Sequence, residues 1–360
     1  MGIEVAMAAV ACLVALPLTF LLKLPTKADR DPTRRWRPRI GGFSIVAAFL
    51  LAPAIMSLIS PHARHILADD WGQFLALGLC GGVIFVAGAR DDFRDLDWRA
   101  KFGVQIAAAL ILYLSGYHVG EMTFPGGGTV PLHAADPFVT VVWIVLVTNA
   151  MNLIDGRDGV AAGIGVLVAG TMSYVAWDLG HDLIALLFAA LAGASLGFMP
   201  FNLPSARKLL GDSGAYFLGF AIASLSIAGF VDTTGRVPLY IPLVALALPV
   251  LDAGLAFLRR FLDKRHPFHA DFDHMHHRIE RIFGMRPLSV TVTSWAITAV
   301  FCFAAVLLHF WYKSVGSAVV GAAVVLFAVG LLAALGYVTT LWNSARVVNL
   351  RSRRATEEPR

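Results

Sequence analysis

Apolar runs of membrane-spanning length recur along the whole chain, separated by short polar connections. A helix needs about 20 mostly apolar residues to cross a bilayer. Eleven stretches approach that length, at roughly 2–22, 40–60, 72–89, 103–116, 137–154, 159–177, 181–199, 213–231, 238–258, 288–310 and 316–342. The first carries no Lys or Arg in its opening residues and is followed by Lys23, Lys27, Arg30, Arg34, Arg35, Arg37 and Arg39. That is the pattern of an anchor with its N-terminus outside, rather than of a cleaved leader. Alternating the eleven spans from that start leaves only Arg64, Arg236 and Lys313, of 29 Lys and Arg, on the outer side. Basic residues stay inside, so the pattern predicts an N-out, C-in polytopic bundle.

Composition agrees. Of 360 residues, 58% are hydrophobic and 15% charged, against about 25% charged in a soluble domain. This excludes a disordered chain, a nucleic-acid-binding module and an ordinary cytosolic enzyme. The 33 glycines suit close helix packing in lipid. The net charge of +5 follows from the basic inner connections and implies contact with the lipid bilayer surface, with no nucleic acid partner. Cys12, Cys80 and Cys302 each lie in an apolar run and form neither a disulfide framework nor a metal knuckle. The expected fold class is an all-α integral membrane protein, with one transmembrane domain over 1–345 and a charged, disordered inner tail at 346–360.

Ionisable side chains at membrane depth are costly and mark function. Here they form four clusters, all on the expected inner side. Asp91 and Asp92 are adjacent at the end of the third span, with Lys101 following. Neighbouring carboxylates raise each other's proton affinity unless a cation intervenes, although a solvated helix end explains the pair equally well. Asn149, Asn152, Asp155 and Asp158 recur every third residue. They share a face only if the helix is tight or broken, and Gly156 and Gly159 favour a break. Asp212 and Ser213 open the eighth span, either as helix caps or as a carboxylate ligand beside a helix N-terminus that attracts phosphate. The longest inner connection carries Lys264, Arg265, His266, His269, Asp271, Asp273, His274, His276, His277 and Arg278. It lacks the H-E-x-x-H zinc pattern, and its bases favour an anionic ligand. Asp252 is a further acid, expected to pair with an Arg of this connection. Such a set suits transfer of a phosphoryl group between a cytosolic and a lipid substrate, with Mg²⁺ held by carboxylates.

In order, Asp91-Asp92-Phe-Arg-Asp-Leu, Asn149-x-x-Asn152-x-x-Asp155-Gly-x-Asp158-Gly, Gly211-Asp212-Ser-Gly and Asp271-x-x-His274-Met-His276-His277-Arg278 resemble the signature motifs of the polyprenyl-phosphate N-acetylhexosamine-1-phosphate transferases. The Arg37-Pro-Arg-Ile-Gly-Gly42 segment resembles that family's first inner loop. The resemblance implies attack by undecaprenyl phosphate on a UDP-N-acetylhexosamine, release of UMP, and a requirement for Mg²⁺, with Mn²⁺ as a substitute. It implies Asp212 and Asp92 as metal ligands. Asp91, Asp92, Asp155 and Asp158 would be catalytic, and Lys101, Asn149, Asn152, His274, His276, His277 and Arg278 would bind substrate. It places the enzyme in the bacterial cytoplasmic membrane and leaves a homodimer open. The His-x-His-His pattern favours UDP-GlcNAc over UDP-MurNAc-pentapeptide. Arg157, where an apolar residue is usual, leaves a 6-deoxy-N-acetylhexosamine open. A secondary transporter is the alternative of another class.

Overall fold

The computed structural model describes residues 1–23, 38–125, 128–228, 238–263, 274–311 and 314–337. The tail at 346–360, the inner connection at 24–37, and Lys264 to Asp273 with its two histidines His266 and His269 lie outside these residues. The chain forms α1 (Gly2–Leu21), α2 (Gly41–Ile59), α3 (Pro61–Asp69), α4 (Trp71–Phe93), α5 (Trp98–Leu114), the strands β1 (Glu121–Thr123) and β2 (Thr129–Pro131), then α6 (Asp136–Ile154), α7 (Val160–Asp178), α8 (Asp182–Asn202) and α9 (Gly211–Leu225). It continues through α10 (Tyr240–Ala245), α11 (Ala247–Leu262), α12 (Met275–Phe283), α13 (Pro287–Phe310) and α14 (Val315–Ala334).

Each expected span contains helix. Eight helices are long and apolar enough to cross a membrane. The other three expected spans are shorter or interrupted: α5 has 17 residues and α9 has 15, and the ninth span is split into α10 and α11. Its break has a local cause. Pro249, third in α11, has no N–H to return to the preceding turn. The hydropathy pattern accounts for neither α3 nor the strands β1 and β2. The amphipathic α3 starts at Pro61, where the Ser60 hydroxyl accepts from the Ala63 N–H at 3.3 Å. The strands β1 and β2 pair antiparallel, Glu121 opposite Pro131 and Thr123 opposite Thr129.

The helix α8 lies at the centre, with 83% of its apolar window buried, whereas α14 is peripheral at 11%. Small residues let α1 approach α8 closely: a Cβ on Gly193 would lie 2.0 Å from the Ala8 carbonyl oxygen.

The alternating helix directions gather one set of ends together. The Lys208 ammonium donates to the carbonyls of Thr19, Phe20 and Leu22, closing the C-terminus of α1. The Gly41 N–H donates to Leu209 O at 3.0 Å, tying the start of α2 to the approach to α9. The Asn202 side chain at the end of α8 accepts from the Gly159 N–H before α7, at 3.0 Å, and donates to Lys208 O. The Thr291 hydroxyl on α13 donates to Asp158 O at 2.9 Å. The described residues of all four polar clusters lie at this end. At the other end, His309 and Asp178 meet at 2.8 Å and bolt α13 to α7.

Candidate active site at one end of the bundle

Asp92 is fully buried at the end of α4. Its Oδ1 accepts from the Asp212 N–H at 2.9 Å and its Oδ2 from the Ser213 N–H at 3.0 Å. A helix start leaves its first amides without intrahelical partners. Here a carboxylate from a different helix supplies the acceptors, aligned with the positive end of α9. Arg39 Nη1 lies 3.8 Å from the same carboxylate. The arrangement requires Gly211: its φ is +77°, and a Cβ there would sit 2.7 Å from Asp92 Oδ2. Of the two readings open for Asp212 and Ser213, the structure excludes the helix cap. Both lie within the first turn of α9, and neither side chain caps it.

Freed from capping, the Asp212 carboxylate faces the site. Lys101 Nζ lies 2.5 Å from Asp91 Oδ2 and 3.5 Å from Asp212 Oδ2. The Asn152 amide donates to Asp212 Oδ1 at 3.3 Å. Lys101 thus stands between the Asp91 and Asp212 carboxylates, two acids that a cation between them keeps ionised. The Leu96 N–H holds Asp91 from below at 2.7 Å.

The second cluster divides at the break that its spacing implied. The helix α6 ends at Ile154, and Gly159, with φ of +79°, starts α7. Asp155 lies in the intervening turn. Burial, reinforced by the charges of Asp212 and Asp92, raises its carboxyl well above the usual range. Asp158 turns away and accepts from the Ala206 N–H at 3.0 Å. Asn149 lies deeper, on α6. Its amide donates to Gln105 Oε1 at 2.6 Å, and Gln105 returns a bond at 3.4 Å. Asn149 thus joins α5 to α6 and is not among the groups around Asp212.

The histidines open a helix, α12, where a loop was expected. Asp252 on α11 is fully buried. It pairs with His274 Nδ1 at 2.9 Å and accepts from the Met275 N–H at 2.7 Å, in place of the expected arginine. His276 is 1% exposed, and neither ring nitrogen has a partner. Burial, with His277, His274 and Arg157 nearby, pushes its pKa down to about 2, so the ring is neutral. Burial and Arg157 also lower His277. Arg278, expected to hold the substrate, packs its guanidinium 3.9 Å from the Tyr337 ring centroid and donates to Leu335 O at 3.1 Å. It is buried against the end of α14.

Asp91, Asp212, Lys101, Asn152 and Asp155 therefore converge, with His276 reaching the same α6–α7 turn. Gln105, Asn202, Lys208 and Glu280 complete the frame and were not singled out from sequence. A lone Gln inside the fourth apolar run was the one available signal among them.

The donor set of carboxylate and amide oxygens is that of a hard divalent cation. Among the described residues, no three His, Cys, Asp or Glu side chains form a ready cage.

A helical membrane bundle with a one-ended acid and amide site defines a membrane enzyme acting at the bilayer edge. Residues 74–230 match the family described as glycosyl transferase family 4. The chain is 30% identical over 309 residues to a probable undecaprenyl-phosphate N-acetylglucosaminyl 1-phosphate transferase of Bacillus subtilis, covering 82% of this chain and 81% of that protein. It is 31% identical to a decaprenyl-phosphate N-acetylglucosaminephosphotransferase of Mycolicibacterium smegmatis, over 71% and 68% of the two chains. It is 28% identical to a phospho-N-acetylmuramoyl-pentapeptide-transferase of Halalkalibacterium halodurans, over 76% and 84%. The chain belongs to glycosyl transferase family 4 and is a phosphoglycosyl transferase of the polyprenyl-phosphate N-acetylhexosamine-1-phosphate group. The transporter alternative finds no support in this kinship.

Proposed function

We propose that the enzyme transfers N-acetylglucosamine 1-phosphate from UDP-GlcNAc to undecaprenyl phosphate at the inner face of the bacterial cytoplasmic membrane. The observation that carries this reading is the bridging of Asp91 and Asp212 by Lys101, with Asn152 on the other oxygen of Asp212. A phosphate oxygen of the lipid forms a bond to the sugar-linked phosphorus, the phosphoanhydride bond breaks, and UMP leaves with the electron pair. Lys101 draws in the lipid phosphate, and Asp91 orients it and accepts its proton. Asp212, Asp155 and Asn152 would hold Mg²⁺ with the nucleotide diphosphate. When bound, the ion neutralises charge on the phosphoryl oxygens during displacement. Neutral His276 donates one N–H toward the diphosphate, which answers its unpartnered ring. Asp158 and Asn149 keep structural roles. Eleven crossings, N-out and C-in, place this end in the cytoplasm.

The test is UMP release by purified protein given undecaprenyl phosphate, Mg²⁺ and UDP-GlcNAc. Lipid-dependent UMP supports the reading. Release only with UDP-MurNAc-pentapeptide or a 6-deoxy sugar donor changes the sugar, and silence with every donor overturns it. Omitting Mg²⁺, then adding Mn²⁺, tests the cofactor.

A further inference from the structure

The site has an acid half on α4, α6 and α9 and a histidine half on α12. The turn at 155–158 links the two: Asn152, in the last turn of α6 just before it, donates to Asp212 at 3.3 Å. Gly156 seats His276: a Cβ on Gly156 would lie 2.5 Å from His276 Cε1 and Nε2. The next residue is Arg157, whose guanidinium donates to the Glu280 carboxylate and lies 3.5 Å from His277 Nδ1.

Glu280 is four residues beyond His276 and three beyond His277 on α12, so all three share one side of that helix. A nine-residue helix is not stable alone and takes its place from its contacts. Asp252 fixes its start through His274 and Met275. Arg157 fixes the next turn.

We propose that the Arg157–Glu280 ion pair is a latch that positions His276 and His277 over the donor site. Arg157 is here a positioning residue, acting through α12 and not on the substrate itself. The inference rests on the reading of α12 as the donor-binding element.

The test compares Arg157→Gln, Glu280→Gln and the charge exchange Arg157→Glu with Glu280→Arg, each as the full chain in nanodiscs. Each single change is expected to raise KM for the UDP-sugar about fivefold, as loss of a partly buried ion pair allows. KM for the lipid phosphate and kcat should stay within about twofold on the same scale. The calorimetric Kd for UMP should weaken in parallel, and this binding readout serves any variant too slow to assay. The exchange should recover most of the loss. An effect of Arg157→Gln with Glu280→Gln silent would overturn the latch, because Arg157 would then be touching substrate directly. So would an exchange variant no better than the product of the single changes, or three silent variants. UMP release by the wild type separates all of these from failure of the transferase reading.

Discussion

Replacing Asp92 separates a scaffold carboxylate from a metal ligand. Both of its oxygens are engaged by amides of α9, at 2.9 and 3.0 Å, so Asp92→Ala leaves two buried N–H groups without acceptors. Each such orphan costs about 1–3 kcal/mol, and loss of a charge at a helix N-terminus adds about 0.3–1 kcal/mol. Relief of the buried carboxylate's desolvation offsets part of this, leaving about 2–4 kcal/mol net. Asp92→Asn keeps one acceptor oxygen and should lose about half as much. At about 2 °C per kcal/mol for a chain of this size, melting should fall by about 4–8 °C for Ala and about 2–4 °C for Asn. The assay is thermal melting followed by tryptophan fluorescence in nanodiscs, beside Mn²⁺ binding read by electron paramagnetic resonance. Asp92→Asn should bind Mn²⁺ far better than Asp212→Asn does. If Asp92→Asn melts like the wild type and loses Mn²⁺ as completely as Asp212→Asn, Asp92 is a ligand and the capping argument fails.

Three further outcomes are expected. Asp212→Asn removes the carboxylate shared by Lys101 and Asn152 but not the backbone amide that anchors α9; UMP release should fall about 10²–10³-fold with melting unchanged, and a stability loss matching that of Asp92→Asn would contradict this division. His276 is held neutral with its pKa pushed down to about 2, while in the unfolded chain it titrates near 6.5. Below about pH 6.5 the unfolded state takes up a proton that the folded ring refuses, so stability present above that pH is lost as pH falls, by up to about 1.4 kcal/mol per unit. Melting between pH 7.5 and 5.5 should therefore fall less steeply in His276→Gln, and equal slopes would mean that His276 is charged in the fold. Finally, a cysteine at exposed Arg64 should react with an impermeant thiol reagent applied to intact cells and one at exposed Arg99 should not; the reverse would invert the topology.

The helical bundle was legible because apolar runs of spanning length mark its helices, and eight helices are long and apolar enough to cross a membrane. The elements that escaped are those without an apolar run of spanning length: α3, the β1–β2 pair, and α12, whose start at His274 reads as part of a basic loop. The break between Ile154 and Val160 was legible in Gly156 and Gly159. The motif positions were legible too, but their division of labour was not. Asp91 and Asp92 are identical in type and adjacent in sequence. On a helix, adjacent residues point about 100° apart, and so one carboxylate meets Lys101 while the other meets the start of α9. Likewise, Asn149 and Asn152 differ by three residues, enough for one to pair with Gln105 and the other with Asp212.

That division explains why so many ionisable groups are needed at one membrane edge. The Asp212 oxygens are turned to Asn152 and Lys101 and do not cap their own helix. Without a cap, the first turn of α9 would leave buried amides unmet. Asp92 meets them from α4, and Gly211 supplies the left-handed bend and the space. The same logic recurs at the histidines. His276 keeps both nitrogens free because Asp252 and Glu280 take up the work of anchoring α12 through its neighbours. Asp92 holds the backbone at Asp212, and Asp252 holds the backbone at Met275, the residue before His276. A substitution of the flanking acid should therefore be read first in stability or KM, and only then in kcat.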